Sequence, residues 1–133
     1  MSDVIAALAA HSCCEVVRGG EVDAFLASNP RAILFFTGDV ARRPEGLDVA
    51  VVVREIATSY GDRLRVGMVD GRDEAALMAR FGVVMAPAVA WMRDGHPAEI
   101  VARMRDWSVY AQACDRLLEE QPVQSNLGIG GNA

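Results

Sequence analysis

Apolar and polar positions along this chain follow two periods, the helical one of about 3.6 residues and the strand one of about two. Val4, Ile5 and Leu8 share one helix face, and Ser2 or Asp3 can cap that helix. The predicted elements are, in chain order, a helix at 4–8, a strand at 15–17, a helix at 21–27, a strand at 32–36, a helix at 47–60, a strand at 64–69, a helix at 74–81, a strand at 88–92, a strand after Asp94-Gly95 and a helix from 107.

Their order predicts an α/β domain with a mixed sheet of about four or five strands flanked by helices. The uninterrupted apolar run 32–36 is typical of a central strand covered on both faces. Asp94-Gly95 is a tight-turn pair and predicts an antiparallel hairpin. Asp73 and Asp106 are placed to cap the helices that follow them. On the last helix the predicted core stripe is Trp107, Tyr110, Ala111, Cys114, Leu117 and Leu118.

Composition places these elements in one domain. The chain has 133 residues, of which 52% are hydrophobic and 23% charged, enough for a single core over 1–120. Residues 121–133 lack periodicity and are rich in glycine and asparagine, so we expect a loose tail.

Charge and hydropathy bear on partners and location. A net charge of −5 argues against nucleic-acid binding. No apolar run approaches the ~20 residues that span a bilayer, so no membrane span is expected. Asp3, with no basic residue, precedes the first short apolar run, which is a poor secretion signal and predicts a cytoplasmic protein.

The reactive side chains form no recognisable catalytic or metal motif. The three cysteines, Cys13, Cys14 and Cys114, include no C-x-x-C pair, and adjacent cysteines are poor disulfide partners. His11 with Cys13 and Cys14 packs three candidate ligands too tightly for a tetrahedral centre. No nucleophile–base pair or phosphate loop is present. The sequence therefore predicts no cofactor, no metal and no enzymatic activity.

The stretch from Arg80 to Trp91 carries the strongest local signal. Phe81-Gly82 ends a helix, and Pro87 stands directly before an apolar strand, where a proline that cannot donate to the sheet is tolerated. Whether Ala86-Pro87 is cis is open at this level.

These features together resemble a thioredoxin fold over roughly 32–119. The resemblance rests on the strand Ile33-Leu34-Phe35-Phe36, on Phe81-Gly82-Val83 with Ala86-Pro87, and on Arg93-Asp94-Gly95. It implies that Pro87 is cis and borders a peptide-binding groove. Val40 to Pro44 stands where thioredoxins have their two active cysteines, and Phe35 replaces their buried acid. Because thiol–disulfide exchange needs two thiols, one of them an activated thiolate, thioredoxin-type catalysis is not expected.

A thioredoxin-like chain with a cysteine-free loop resembles the HyaE/HupG family of [NiFe]-hydrogenase accessory proteins. The resembling segments are Ile33–Phe36 leading into Gly38-Asp39 and Arg43-Pro44-Glu45, then Asp48–Val52, and later Arg105-Asp106-Trp107. The family implies a chaperone for the hydrogenase small-subunit precursor that acts partly on its twin-arginine signal peptide.

The resemblance directs attention to one groove edge as a partner site, formed by Asp39, Arg42, Arg43, Pro44, Glu45, Met85, Ala86 and Pro87. Backbone beside the proline can pair with an extended peptide, and Met85 and Trp91 either contact it or fill the core. Asp39, Glu45 and Asp48 can meet a partner's arginines. The neighbouring Arg42 and Arg43 either repel such a partner or pair with these acids.

Two other functions remain open at this level. A divergent thiol oxidoreductase would use Cys13 or Cys14, and thiol titration separates it from a binding protein. A general thioredoxin-like interaction module, or a homo-oligomer that buries the same face, is the other, and light scattering addresses the oligomer.

Overall fold

The computed structural model describes residues 3–119 and contains a five-stranded sheet in the order β1-β3-β2-β4-β5. The strands are β1 Cys14–Val17, β2 Arg31–Phe36, β3 Arg65–Val69, β4 Ala88–Arg93 and β5 His96–Ala102. The first three strands run parallel, whereas β4 and β5 are antiparallel to their neighbours. The mixed α/β architecture is therefore confirmed. The predicted tail, 121–133, and the candidate cap Ser2 lie outside the described residues.

Five helices cover the sheet, namely α1 Asp3–Ala9, α2 Val22–Ser28, α3 Glu45–Tyr60, α4 Glu74–Phe81 and α5 Trp107–Glu119. The buried residues of α1, α3 and α5 pack on one face of the sheet, and those of α2 and α4 pack on the other. Strand β2 lies between β3 and β4, and its residues 32–36 are all fully buried, as their apolar run predicts.

Helix α3 begins at Glu45, two residues before the predicted start at Leu47. Pro44 occupies the N-cap position, and proline is well tolerated at helix starts. Gly46 is buried in the first turn of the helix. A Cβ on Gly46 would lie only 2.5 Å from the Thr37 carbonyl oxygen, so this glycine is needed for close backbone approach.

The core stripe of α5 is rotated relative to the predicted one. Tyr110, Ala113, Cys114 and Leu117 are buried, whereas Trp107 is 42% exposed. Trp107 is the first residue of the helix, where a side chain is covered by fewer neighbouring turns. The prediction that Trp107 belongs to the core was wrong.

Two side chains at the centre of the molecule confirm the core interpretation. Trp91 is fully buried, and its indole N–H donates to the Cys114 sulfur at 3.3 Å. Its ring lies 6.1 Å from that of Tyr110. Cys114 is therefore a buried core residue, as predicted.

Turns close the elements largely as their sequences predict. Gly82 ends α4 in the left-handed region at φ 78°, and Asp94-Gly95 joins β4 to β5 with φ 52° and 85°. Asp73 stands before α4, but its carboxylate accepts the Gly19 N–H at 2.9 Å and makes no cap hydrogen bond. The predicted capping role of Asp73 was wrong.

Strand direction sets the two ends of the sheet apart. The carboxyl ends of β1, β3 and β2 and the amino end of β4 lie at the same edge, because Phe36 pairs with Ala88. The loop after β2 and Pro87 therefore lie at this edge. Cys13 and Cys14 lie at the opposite edge, where β1 begins.

Candidate functional site

Three segments meet at the carboxyl edge of the parallel strands. We call them together the cis-proline surface and define it as residues 37–44, 84–87 and 103–104. The Ala86-Pro87 peptide bond is cis. Gly38 has φ 75°, and a Cβ there would lie 3.2 Å from the Ala86 Cβ and 3.6 Å from the Pro87 nitrogen. The loop after β2 therefore packs directly against the residues that precede β4.

The loop is held by hydrogen bonds to its own backbone and to α4. The Asp39 carboxylate accepts the Ala41 N–H at 3.1 Å, and the Asp39 carbonyl accepts the N–H groups of Arg42 and Arg43. The Gly38 N–H donates to the Glu74 carboxylate at 3.1 Å. Burial raises the pKa of Glu74, and its hydrogen bond to the Gly38 backbone partly offsets that rise.

Glu45 joins the loop to the segment that follows β5. Its carboxylate accepts the Met104 N–H at 2.7 Å and the Arg103 Nε–H at 2.9 Å. The hydrogen bond from the Met104 backbone, with the Arg103 guanidinium, lowers the pKa of Glu45. We predicted that Glu45 contributes to a partner site, and its carboxylate is already used within the chain.

The Arg103-Met104 segment forms a third side of the surface, which the sequence analysis missed. The Arg103 N–H donates to the Pro87 carbonyl at 2.8 Å. The Tyr110 hydroxyl donates to the Arg103 carbonyl at 3.0 Å and accepts the Arg105 N–H at 3.1 Å. Tyr110 is a fully buried residue of α5, and its hydroxyl therefore ties this segment to the core. The sequence signal that could have identified this segment is the pair Met104 and Trp107, two large apolar residues on either side of two charged ones.

The structure brings the candidate residues together but gives them different surroundings. Pro87 is buried and Ala86 half-buried, whereas Met85 is 40% exposed. Asp39, Arg42, Arg43 and Pro44 are exposed in the loop. Asp48 lies outside this loop, in α3, and is exposed.

The backbone beside the proline is open to a partner. Within residues 3–119, no hydrogen bond joins the backbone of Val84, Met85 or Ala86 to another residue. Val84 is 92% exposed. The backbone donors and acceptors of this segment are therefore not used by the rest of residues 3–119.

The thiols lie away from this surface, and the Cys13 thiol donates to the Asp62 carboxylate at 3.7 Å. Cys13, Cys14 and Cys114 are buried. Burial raises the pKa of the Cys14 thiol to about 11 and that of the Cys114 thiol to about 11, which disfavours the reactive thiolate. His11 accepts the Cys13 N–H through Nδ1 at 3.0 Å, and its Nε2 lies 3.1 Å from the Thr58 hydroxyl.

Two further structural findings bear on the site. In the part of the chain from 3 to 119, no group of three or more His, Cys, Asp or Glu side chains is arranged to hold a metal ion. Over the same residues, no helix is long and apolar enough to cross a membrane.

Comparison with known proteins identifies relatives of the whole domain. The family model described as hydrogenase-1 expression protein HyaE matches residues 4–110. The hydrogenase expression/formation protein HupG of Rhizobium leguminosarum bv. viciae is 38% identical over 132 residues, covering 96% of this chain and 89% of the relative. HoxO of Cupriavidus necator, also a hydrogenase expression/formation protein, is 35% identical and covers 82% of this chain and 68% of its own length.

Solved structures agree with that assignment. A HupG structure from Rhodopseudomonas palustris superimposes with a TM-score of 0.56 at 37% identity, covering 80% of this chain and 98% of that one. Thioredoxin from Halobacterium salinarum superimposes with a TM-score of 0.69 at 22% identity, covering 82% and 94%. The second match shows the thioredoxin-like fold alone.

Proposed function

This chain belongs to the HyaE family of hydrogenase expression/formation accessory proteins, and from that membership we propose that it binds the small-subunit precursor of a [NiFe] uptake hydrogenase. In this proposal it acts as a chaperone. It holds an extended segment of the precursor, in the region of the twin-arginine signal, until cofactors are inserted and export can proceed. Such a role places it in the cytoplasm, where the precursor is made.

The observation that carries the proposal is the open backbone at 84–86 beside the buried cis-proline. An incoming strand gains main-chain hydrogen bonds there, and neighbouring side chains supply specificity. Glu45 and Tyr110 hold the surrounding loops in place, so little ordering is required when the client binds. A surface that is already formed suits capture of a flexible segment.

A thiol oxidoreductase is a weaker interpretation. The loop from Val40 to Pro44 offers no thiol beside Pro87. Cys14 is buried and has a raised pKa, at the opposite end of the sheet. An insulin-reduction assay tests this interpretation, and turnover above the uncatalysed rate would favour it over our proposal.

Calorimetric titration with the small-subunit precursor tests the proposed function. We expect the intact precursor to bind, and we expect a truncated precursor that lacks its signal region to bind at least about tenfold more weakly, a difference of about 1.4 kcal/mol. Equal affinity for both forms would move the site to the folded part of the client. Absence of binding to either form would refute the proposal.

A further inference from the structure

Three exposed large apolar side chains belong to the cis-proline surface, and a fourth, Trp107, follows it by three residues in the sequence. Val84 is 92%, Met85 40%, Met104 42% and Trp107 42% exposed, and these are four of the seven exposed large apolar residues among residues 3–119. Contiguous exposed apolar side chains commonly mark interaction sites. This clustering therefore sets the surface apart from the rest of the molecule.

The backbone connections bring Met85 and Met104 within reach of one bound peptide. The Arg103 N–H is bonded to the Pro87 carbonyl, so Met104 follows directly after a residue that touches the proline. Their Cα atoms are at most about 17 Å apart, since successive Cα atoms are ~3.8 Å apart and bonded backbones ~5.5 Å. About five extended residues cover that span at ~3.3 Å each. Trp107 lies three residues further along the chain, at the start of α5.

The acidic side chains at this surface already have partners within the chain. Glu45 accepts from the Met104 backbone and from Arg103, and Glu74 accepts from the Gly38 backbone. Asp39 accepts from the Ala41 backbone. An arriving guanidinium would have to compete with these hydrogen bonds, and their loss would expose unpaired groups.

The charges that an incoming segment meets are of both signs, because hydrogen bonds from backbone N–H groups leave the charges of Asp39 and Glu45 in place. Arg42 and Arg43 stand in the loop and Arg105 follows Met104, all three exposed. Asp106, also exposed, stands beside Arg105. Asp39 and Asp106 oppose these arginines and Glu45 pairs with Arg103, so a cationic segment meets little net negative charge that would attract it. Charge complementarity therefore favours an occupant that carries no net charge.

From these observations we infer that the cis-proline surface recognises an extended apolar segment through alternating bulky side chains, and does not recognise arginines. Alternate side chains of an added strand point the same way and contact Met85, Met104 and Trp107. Methionine adapts to varied apolar partners, which suits a segment defined by hydrophobicity. The inference rests on the proposed function, because it names the part of the captured segment that is recognised.

Synthetic peptides test the inference apart from any client. The parent peptide has about 12 residues, an Arg-Arg pair followed by alternating leucine and serine, which is a strand-like pattern. In one variant both arginines become glutamine, and in another every leucine becomes serine. Binding is measured by fluorescence anisotropy at low and high salt.

We expect the glutamine variant to bind within about threefold of the parent and the serine variant to bind more than about tenfold more weakly, as for removal of anchor side chains. Affinity should change little with salt, because apolar contacts are not screened. Loss of binding in the glutamine variant, with the serine variant unaffected, would overturn the inference. Absence of binding to the parent peptide would also overturn it.

Protein variants give the second measurement. Met104→Ser and Trp107→Ser should each weaken parent-peptide binding by about fivefold to tenfold. Val51→Ser is the matched control, because Val51 is 55% exposed on α3 and lies outside the cis-proline surface, so this change should leave affinity within about twofold. Circular dichroism verifies that each variant is folded. Equal affinity of Met104→Ser and Val51→Ser for the parent peptide would overturn the inference.

The peptide and precursor experiments fail separately. A protein that binds the apolar peptide but not the small-subunit precursor would refute the proposed function and leave this inference supported. A protein that binds the precursor but not the apolar peptide would refute this inference and leave the proposed function supported.

Discussion

At the scale of single residues, Glu45 and Glu74 both hold segments of the cis-proline surface, but their pKa values are shifted in opposite directions. Glu45 is exposed enough to stay charged, and the Met104 backbone with Arg103 lowers its pKa. Glu74 is half-buried, and desolvation raises its pKa. The first carboxylate therefore favours the folded state most when ionised, whereas the second favours it most when protonated.

Replacement of Glu74 by glutamine tests that contrast. Because the pKa of Glu74 is higher in the folded than in the unfolded state, its contribution to stability is present below about pH 4.5, the unfolded value, and declines as pH rises through the folded pKa. Glu74→Gln lacks this decline and keeps an oxygen that can accept the Gly38 N–H. We expect the variant to gain stability relative to wild type between pH 4 and pH 7, measured by urea unfolding. A relative loss over that range would show that the charged hydrogen bond outweighs desolvation.

Thiol reactivity is the second prediction at this scale. The chain has three cysteines, all buried, and the pKa of both Cys14 and Cys114 is about 11. At pH 8 we expect a disulfide reagent to modify the folded protein slowly and the unfolded protein rapidly, to three equivalents. One thiol that reacts rapidly in the folded protein would revive the oxidoreductase interpretation.

At the scale of elements, the site depends on how closely the loop after β2 approaches α3. Gly46, in the first turn of α3, would place a Cβ 2.5 Å from the Thr37 carbonyl oxygen. Thr37 begins the loop that packs against Ala86-Pro87. The first turn of α3 therefore packs directly against the loop of the cis-proline surface.

Gly46→Ala should disturb the contact between the first turn of α3 and the Thr37 carbonyl. Because the obstructing atom belongs to the backbone, we expect a loss of about 1–3 kcal/mol in the free energy of unfolding, as for other overpacked positions. Gly20→Ala is the matched control. Nothing lies within 4 Å of a Cβ at Gly20, so that change should cost about 0.5 kcal/mol or less. Urea unfolding measures both, and equal effects would contradict the steric account.

The sequence predicted most elements because their signals are local. The run 32–36 is apolar throughout, and Asp94-Gly95 specifies its own turn. The third side of the site was not predictable in this way. Arg103 and Met104 are positioned by the Pro87 carbonyl, the Glu45 carboxylate and the Tyr110 hydroxyl, partners from three other elements. The exposure of Trp107 likewise depends on the rotation of α5 on the sheet.

At the scale of the whole molecule, the thiols and the cis-proline surface lie in different parts of the fold. The thiols lie in the core or at the edge where β1 begins, and the open backbone and exposed methionines lie at the other edge. A net charge of −5 describes the chain as a whole, whereas at and beside the cis-proline surface the exposed Arg42, Arg43 and Arg105 are opposed by the exposed Asp39 and Asp106. A bound segment would therefore meet a local charge that differs from the total charge.

The most direct test of the central claim is a calorimetric titration of the small-subunit precursor into wild type, Met85→Asp and Val51→Asp. Met85 and Val51 are 40% and 55% exposed, and Val51 lies on the outer face of α3, away from the cis-proline surface. We predict that Met85→Asp weakens binding by more than about tenfold, and that Val51→Asp leaves it within about twofold. Equal affinity of the two variants would contradict recognition at the cis-proline surface.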